Sequence, residues 1–220
     1  MRTHTQALLR LDDDGENNVS DNTEPYIDLT PTDAATGDLK KLYDDLERVR
    51  GKGRVSNLFK AYGKFPALGQ ANFTRLNVLL GQGNLSVKLK EAVMVALAEI
   101  NHCLYCVNFH ATAMKAQGAS LEEISAARTF DPHNLGLSAK EAALFDFALK
   151  ANGDPHGVKR EDVEAVRALG ASDADLVEVL ETVNTGNSFN LFAGALNVGT
   201  DDFLHYSLEE SRFLDDDKAA

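Results

Sequence analysis

Two cysteines, Cys103 and Cys106, form a C-x-x-C pair and are the chain's full complement of thiols. His110 follows the second by four positions, and Glu91 precedes the first by twelve. Positions three and four apart on a helix share a face, about 5–6 Å from one another. Cys103, Cys106 and His110 therefore fall on one stripe if the segment is helical. That separation lies within the roughly 4.4–6.8 Å between Cα atoms at which a disulfide closes. A thiol in the first turn of a helix meets unpaired backbone N–H groups and the positive end of the dipole. Both favour the thiolate, lowering its pKa from the free value of about 8.5.

Glu91 enters this chemistry by counting. It lies ten positions before Asn101, and His110 lies nine after it. Helices folding back at Asn101 would bring the two face to face. A carboxylate can then orient the imidazole, which can take a proton from a thiol directly or through water. The same residues could instead hold zinc, with Glu91 or water as fourth ligand beside Cys103, Cys106 and His110. Covalent haem attachment needs C-x-x-C-H, and Val107 removes it. His102 falls at the turn and is expected to be exposed.

The elements that must position these groups read as helices. Leu39, Leu42, Tyr43 and Leu46 give one apolar face to a helix over about 39–49, which the glycine-rich segment 50–54 ends as a loop. Asn57, Leu58 and Phe59 lead into a helix over about 66–80. Ser86 caps the next, 87–100, with Val93, Val95, Ala96, Leu97 and Ile100 facing inward. Asn101 is the expected stop, as Asn tolerates the left-handed turn. A helix from about Cys103 to Gly118 follows.

Ser120 with Glu123 and Ser138 with Glu141 read as capping boxes for two further helices. Another helix runs from Glu161 to Gly170, and Ser172 caps one from Asp173 to about Val183. The run 184–187 is expected to interrupt that helix before 188–196 resumes it. A faint echo relates 93–101 to 176–184 at an offset of 83. No run alternates with period two, so the expected fold class is all-α. Residues 1–24 read as a disordered acidic arm, 25–205 as one domain and 206–220 as an acidic tail.

Among 220 residues, 44% are hydrophobic and the formal net charge is −12. The charge repels phosphates, so neither nucleic acid nor an anionic membrane is an expected partner. No apolar run is long enough to span a bilayer, and the first residues lack the apolar stretch of a signal peptide. A cytoplasmic location is expected.

The stretch EAVMVALAEINHCLYCVNFHATAMKAQG resembles the core of the AhpD-like, or carboxymuconolactone decarboxylase, family. The family pattern is Glu, twelve residues on to C-x-x-C, then three residues and His. The match looks nearest to the peroxidase-related branch, as do Asn57-Leu58-Phe59 with Pro66 and the run 187–190. It spans roughly Pro25 to Phe203. The resemblance implies an AhpD-like helical domain with the C-x-x-C at the start of a core helix. It implies a homo-oligomer, trimer or hexamer, that reduces hydroperoxides without a cofactor in antioxidant defence. Cys106 would be the peroxidatic thiol. Cys103 would donate a proton and then resolve the sulfenic acid to a Cys103–Cys106 disulfide. Glu91 and His110 would form the proton relay, with Tyr105 and His102 in support. The reductant would be a dithiol or a lipoyl-bearing partner. AhpD has His before the second cysteine; here Tyr105, a weaker acid near neutral pH, stands there. Two other readings use the same residues: a thiol–disulfide reductase or redox sensor, and a non-catalytic oligomeric module with a Cys/Cys/His metal site.

Overall fold

The computed structural model of the chain describes residues 24–204. The expected tail at 206–220 and all but the last residue of the expected arm at 1–24 lie outside them. The described residues contain helices and no strand. The helices are α1 (Gly37–Arg50), α2 (Asn57–Ala61), α3 (Pro66–Gly81), α4 (Val87–Ile100) and α5 (Leu104–Ala116). They continue with α6 (Leu121–Arg128), α7 (Ala139–Gly153), α8 (Arg160–Ala168) and α9 (Asp173–Ala195).

The fold is built on α4. Every residue from Leu89 to Ala98 is buried, so this helix is covered on all sides. Its Met94 and Ala98 join an apolar cluster with α1, α2, α3 and the end of α9. Its Leu89, Val93, Ala96 and Leu97 join a second cluster with α6, α7 and α8. Ile100, expected inward, is 40% exposed, because the helix ends there at the surface.

Two charged residues of α4 are also buried, which requires partners. Lys90 Nζ donates to Leu79 O at 2.6 Å and pairs with Glu178 at 2.5 Å, tying α4 to α3 and α9. The other, Glu91, belongs to the candidate site.

The caps follow the sequence. Ser86, Ser120, Ser138 and Ser172 each accept a backbone N–H from the first turn of the following helix. The Ser120–Glu123 box is complete. Glu141 departs from its box: its carboxylate accepts the Ser86 backbone N–H at 3.0 Å, joining the starts of α7 and α4.

The helix α9 is continuous, against the interruption expected at 184–187. Its polar residues find partners without breaking the backbone ladder. The Thr185 hydroxyl donates to Glu181 O, and Asn187 bonds to Asn101 and Asn152. At Gly186 a Cβ would lie 2.9 Å from Leu97 Cδ1, so glycine permits the close approach of α9 to α4. Residues 93–101 end at a turn while 176–184 run on, so the echo between them has no structural counterpart.

Candidate active site

The turn between α4 and α5 delivers the first cysteine. Asn101 caps α4 with φ −90°, and the left-handed residue is His102, at φ 53°, one position later than expected. Cys103 N–H reaches back to Ala98 O at 2.8 Å, and His102 N–H to Glu99 O at 3.1 Å. This Schellman pattern satisfies the carbonyls at the end of α4 and turns the chain straight into α5. Cys103 is thereby both the last residue of the turn and the N-cap of α5. Cys106 sits one turn further on.

The two sulfurs lie 2.7 Å apart, and both residues are buried. Their environments are unequal. Hydrogen bonding from the Cys106 thiol, aided by its backbone amide, lowers the Cys103 pKa against the opposing effect of burial. The same sulfur–sulfur bond, then burial, then the charge of Cys103, pushes the Cys106 thiol up. The resting thiolate is therefore favoured on Cys103, although both cysteines occupy the first turn.

Glu91 and His110 meet as the counting required. His110 Nδ1 lies 2.7 Å from Glu91 Oε2, across α4 and α5, and both side chains are buried. With Nδ1 engaged by the carboxylate, Nε2 is the nitrogen left for proton exchange.

The cysteines open on different cavities. Cys106 and His110 line a chamber of about 20 Å³, shared with Arg50, Ser56, Tyr105 and Phe109. That volume holds about one water-sized molecule. Cys103 instead lines a cleft of about 560 Å³, with Asn57, His102, Leu104 and Thr200. Tyr105 borders both. The larger groove of about 800 Å³ between α3 and α9 contains no thiol or histidine.

Tyr105 is held as a neutral phenol. Its hydroxyl donates to Asp201 Oδ2 at 2.9 Å and accepts the Leu58 N–H at 3.4 Å. Burial, then the Asp201 charge, raises its pKa well above the usual range. It clamps the segment after α9 onto α5. Asp201, buried and raised in pKa chiefly by burial, also accepts the Asn57 N–H at 2.5 Å. His102 is exposed on the rim of the Cys103 cleft and apart from the chamber.

Arg50 is the residue that sequence reasoning missed. The sequence puts it at the edge of a glycine-rich loop, yet it ends α1 and lines the chamber beside Cys106. Gly51, at φ 101°, stops α1 directly after it. Among the described residues, no group of three or more His, Cys, Asp or Glu is arranged to hold a metal. Glu91, offered as a fourth zinc ligand, is engaged with His110.

Residues 66–150 match the model of the carboxymuconolactone decarboxylase family. No curated protein matches the chain. Among solved structures, it is similar to an uncharacterized peroxidase-related protein from Silicibacter sp. TM1040. Identity is 23%, TM-score 0.69, with 82% of this chain and 91% of that one covered. It is similar to a second such protein with an alkylhydroperoxidase AhpD core, from Ralstonia eutropha JMP134. Identity is 22%, TM-score 0.72, and coverage 81% and 93%. A variant of the debrominase Bmp8, in complex with 2,3,4-tribromopyrrole, shares the fold at 18% identity and TM-score 0.64. Coverage there is 90% and 98%. The fold is the AhpD-like one, and residues 66–150 are similar to the carboxymuconolactone decarboxylase family.

Proposed function

We infer that the chain is a dithiol peroxidase that reduces small hydroperoxides in antioxidant defence. One observation carries the reading: Cys106 shares with His110 a chamber of about 20 Å³, while Cys103 opens on a separate cleft. A chamber of that size favours the small oxygen end of a hydroperoxide over a ring. The cleft suits the larger reductant.

The steps balance as follows. A proton passes from Cys106 to Cys103 across their 2.7 Å contact. The Cys106 thiolate attacks the distal oxygen of the peroxide; the S–O bond forms and the O–O bond breaks. The departing oxygen takes a proton through His110, which Glu91 orients, and leaves as alcohol or water. Cys106 is then a sulfenic acid. Cys103 gives up its proton to the relay and attacks Cys106. The S–S bond forms, the S–O bond breaks, and hydroxide departs as water. A dithiol or lipoyl-bearing partner then reduces the disulfide from the Cys103 side. That cycle needs a reducing compartment, which the cytoplasm provides.

Turnover of hydrogen peroxide and alkyl hydroperoxides with dihydrolipoamide is the direct test. Consumption at catalytic rates is expected. Its absence, with rapid reduction of a disulfide substrate, would favour the thiol–disulfide reductase, a reading that the lowered pKa of Cys103 also suits.

The reading includes a homo-oligomer, trimer or hexamer. Val177 and Leu191 on α9, with Phe65 and Leu68 at the start of α3, are exposed apolar side chains that a second copy could cover. Light scattering should give a mass well above the 23.9 kDa of one chain; a monomer at micromolar concentration would overturn the assembly.

A further inference from the structure

Arg50 carries five N–H donors in one plane. Among the described residues its one hydrogen bond is Nη1 to Ser56 Oγ, at 3.3 Å. Its guanidinium carbon lies 5.2 Å from the Phe59 ring centre, 6.0 Å from that of Phe73 and 5.2 Å from that of Phe109. These ring faces hold the cation in place, yet they satisfy none of its in-plane donors. Burial lowers its pKa, opposed by the neighbouring acidic groups Tyr105, Asp201 and Glu91, of which Tyr105 is neutral at rest. Each of these acids is already committed: Tyr105 to Asp201, Asp201 to Asn57 as well, and Glu91 to His110. A part-buried cation without an ion pair of its own among the described residues, in the lining of the Cys106 chamber, is a site for an anion.

We propose that Arg50 makes the Cys106 chamber an anion-binding site, and that it holds the negatively charged oxygen of the reacting peroxide. This rests on the peroxidase reading. When the Cys106 sulfur attacks, negative charge moves to the departing oxygen. The Arg50 N–H groups receive that charge as the O–O bond breaks, and His110 supplies the proton that turns the oxygen into a hydroxyl. Arg50 is then a substrate-contacting residue placed by α1, outside the segment matched by the family.

The test does not need peroxide. In a Cys103→Ser background, Cys106 is alkylated with neutral iodoacetamide and with anionic iodoacetate, and the modified peptide is quantified. The two reagents are nearly equal in size, so the ratio of their rates cancels access and the thiol's own pKa. Arg50→Met should lower the iodoacetate-to-iodoacetamide ratio by about tenfold or more, the worth of a charged hydrogen bond. Arg50→Lys, which keeps the charge, should lie between. An unchanged ratio in an Arg50→Met protein that melts like its parent overturns the proposal. If Arg50→Met does not fold, azide decides in the parent. It should protect Cys106 from iodoacetamide, and failure to protect overturns the proposal equally. Anion preference without peroxide turnover would leave Arg50 standing and remove the peroxidase reading; the reverse would remove Arg50 alone.

Discussion

Glu91 and His110 are nineteen positions apart in sequence and 2.7 Å apart in space, Oε2 to Nδ1, with both side chains buried. Turning α4 into α5 within three residues makes that meeting possible, and His110 also lines the Cys106 chamber. A buried carboxylate on an imidazole fixes which ring nitrogen exchanges protons.

Removing either member should therefore slow proton transfer without unfolding the chain. His110→Ala and Glu91→Gln are each expected to lower kcat/KM for peroxide by roughly 10²-fold or more. The double variant should fall little further, because both act on one proton path. Steady-state kinetics with a saturating dithiol read this out, and additive losses would contradict a shared path.

The cysteines should prove unequal in two separate assays. Cys106→Ser should abolish peroxide consumption. Cys103→Ser should retain one slow reaction and accumulate a sulfenic acid on Cys106, trapped by a dimedone-type probe. A probe adduct on Cys103 in Cys106→Ser, with turnover retained, would reverse the assigned roles.

Alkylation against pH tests the electrostatics. The Cys103 pKa is lowered and the Cys106 pKa raised. In the reduced protein, iodoacetamide should label Cys103 first at pH values below about 8.5, where an ordinary thiol is mostly protonated. That preference should fade only below the Cys103 pKa. Mass spectrometry of the two peptides after brief exposure gives the order.

Asp201 holds the segment after α9 through Tyr105 and Asn57. Its folded pKa is raised, so the folded state binds the proton more tightly than the unfolded one. Its contribution to stability is present below the ordinary carboxylate value of about 3.9 and is lost as pH rises through the folded value. Asp201→Asn does not titrate, so it should gain on the wild type as pH rises from about 4 to 7, followed by thermal melts. Asp201→Ala leaves a buried hydroxyl and a part-buried N–H without that acceptor, and should cost about 1–3 kcal/mol.

Lys90→Met should destabilise the protein by about 3 kcal/mol, since it leaves Glu178 beside α4 without its cation. The loss will be moderated because Glu178 also accepts the Asn84 and Leu85 N–H groups. Chemical denaturation gives the figure directly.

The helices were legible because their caps are local. Ser86, Ser120, Ser138 and Ser172 each act within their own first turn. The Cys103, Cys106, His110 and Glu91 constellation was legible because it needs only helical spacing and one turn. Arg50 was not: its role exists only once α1 packs beside α2, α3 and α5, and no local pattern marks it. Asn184 to Asn187 misled for the related reason that the partners of Asn187, Asn101 and Asn152, lie on other elements. Asp201 falls where the sequence fades into an acidic tail, and its value comes from a phenol ninety-six positions away.

The opening of the two thiols on different cavities, both bordered by Tyr105, has a kinetic consequence. On the peroxidase reading, oxidant and reductant would arrive by different doors, and neither would have to wait for the other's products to clear. A molecule wedged into the Cys103 cleft would leave the first oxidation untouched. Each subunit would then consume a single equivalent of peroxide in a burst and stall as the disulfide. A small anion lodged beside Cys106 would suppress the burst itself, so the amplitude of that first turnover tells which door is blocked.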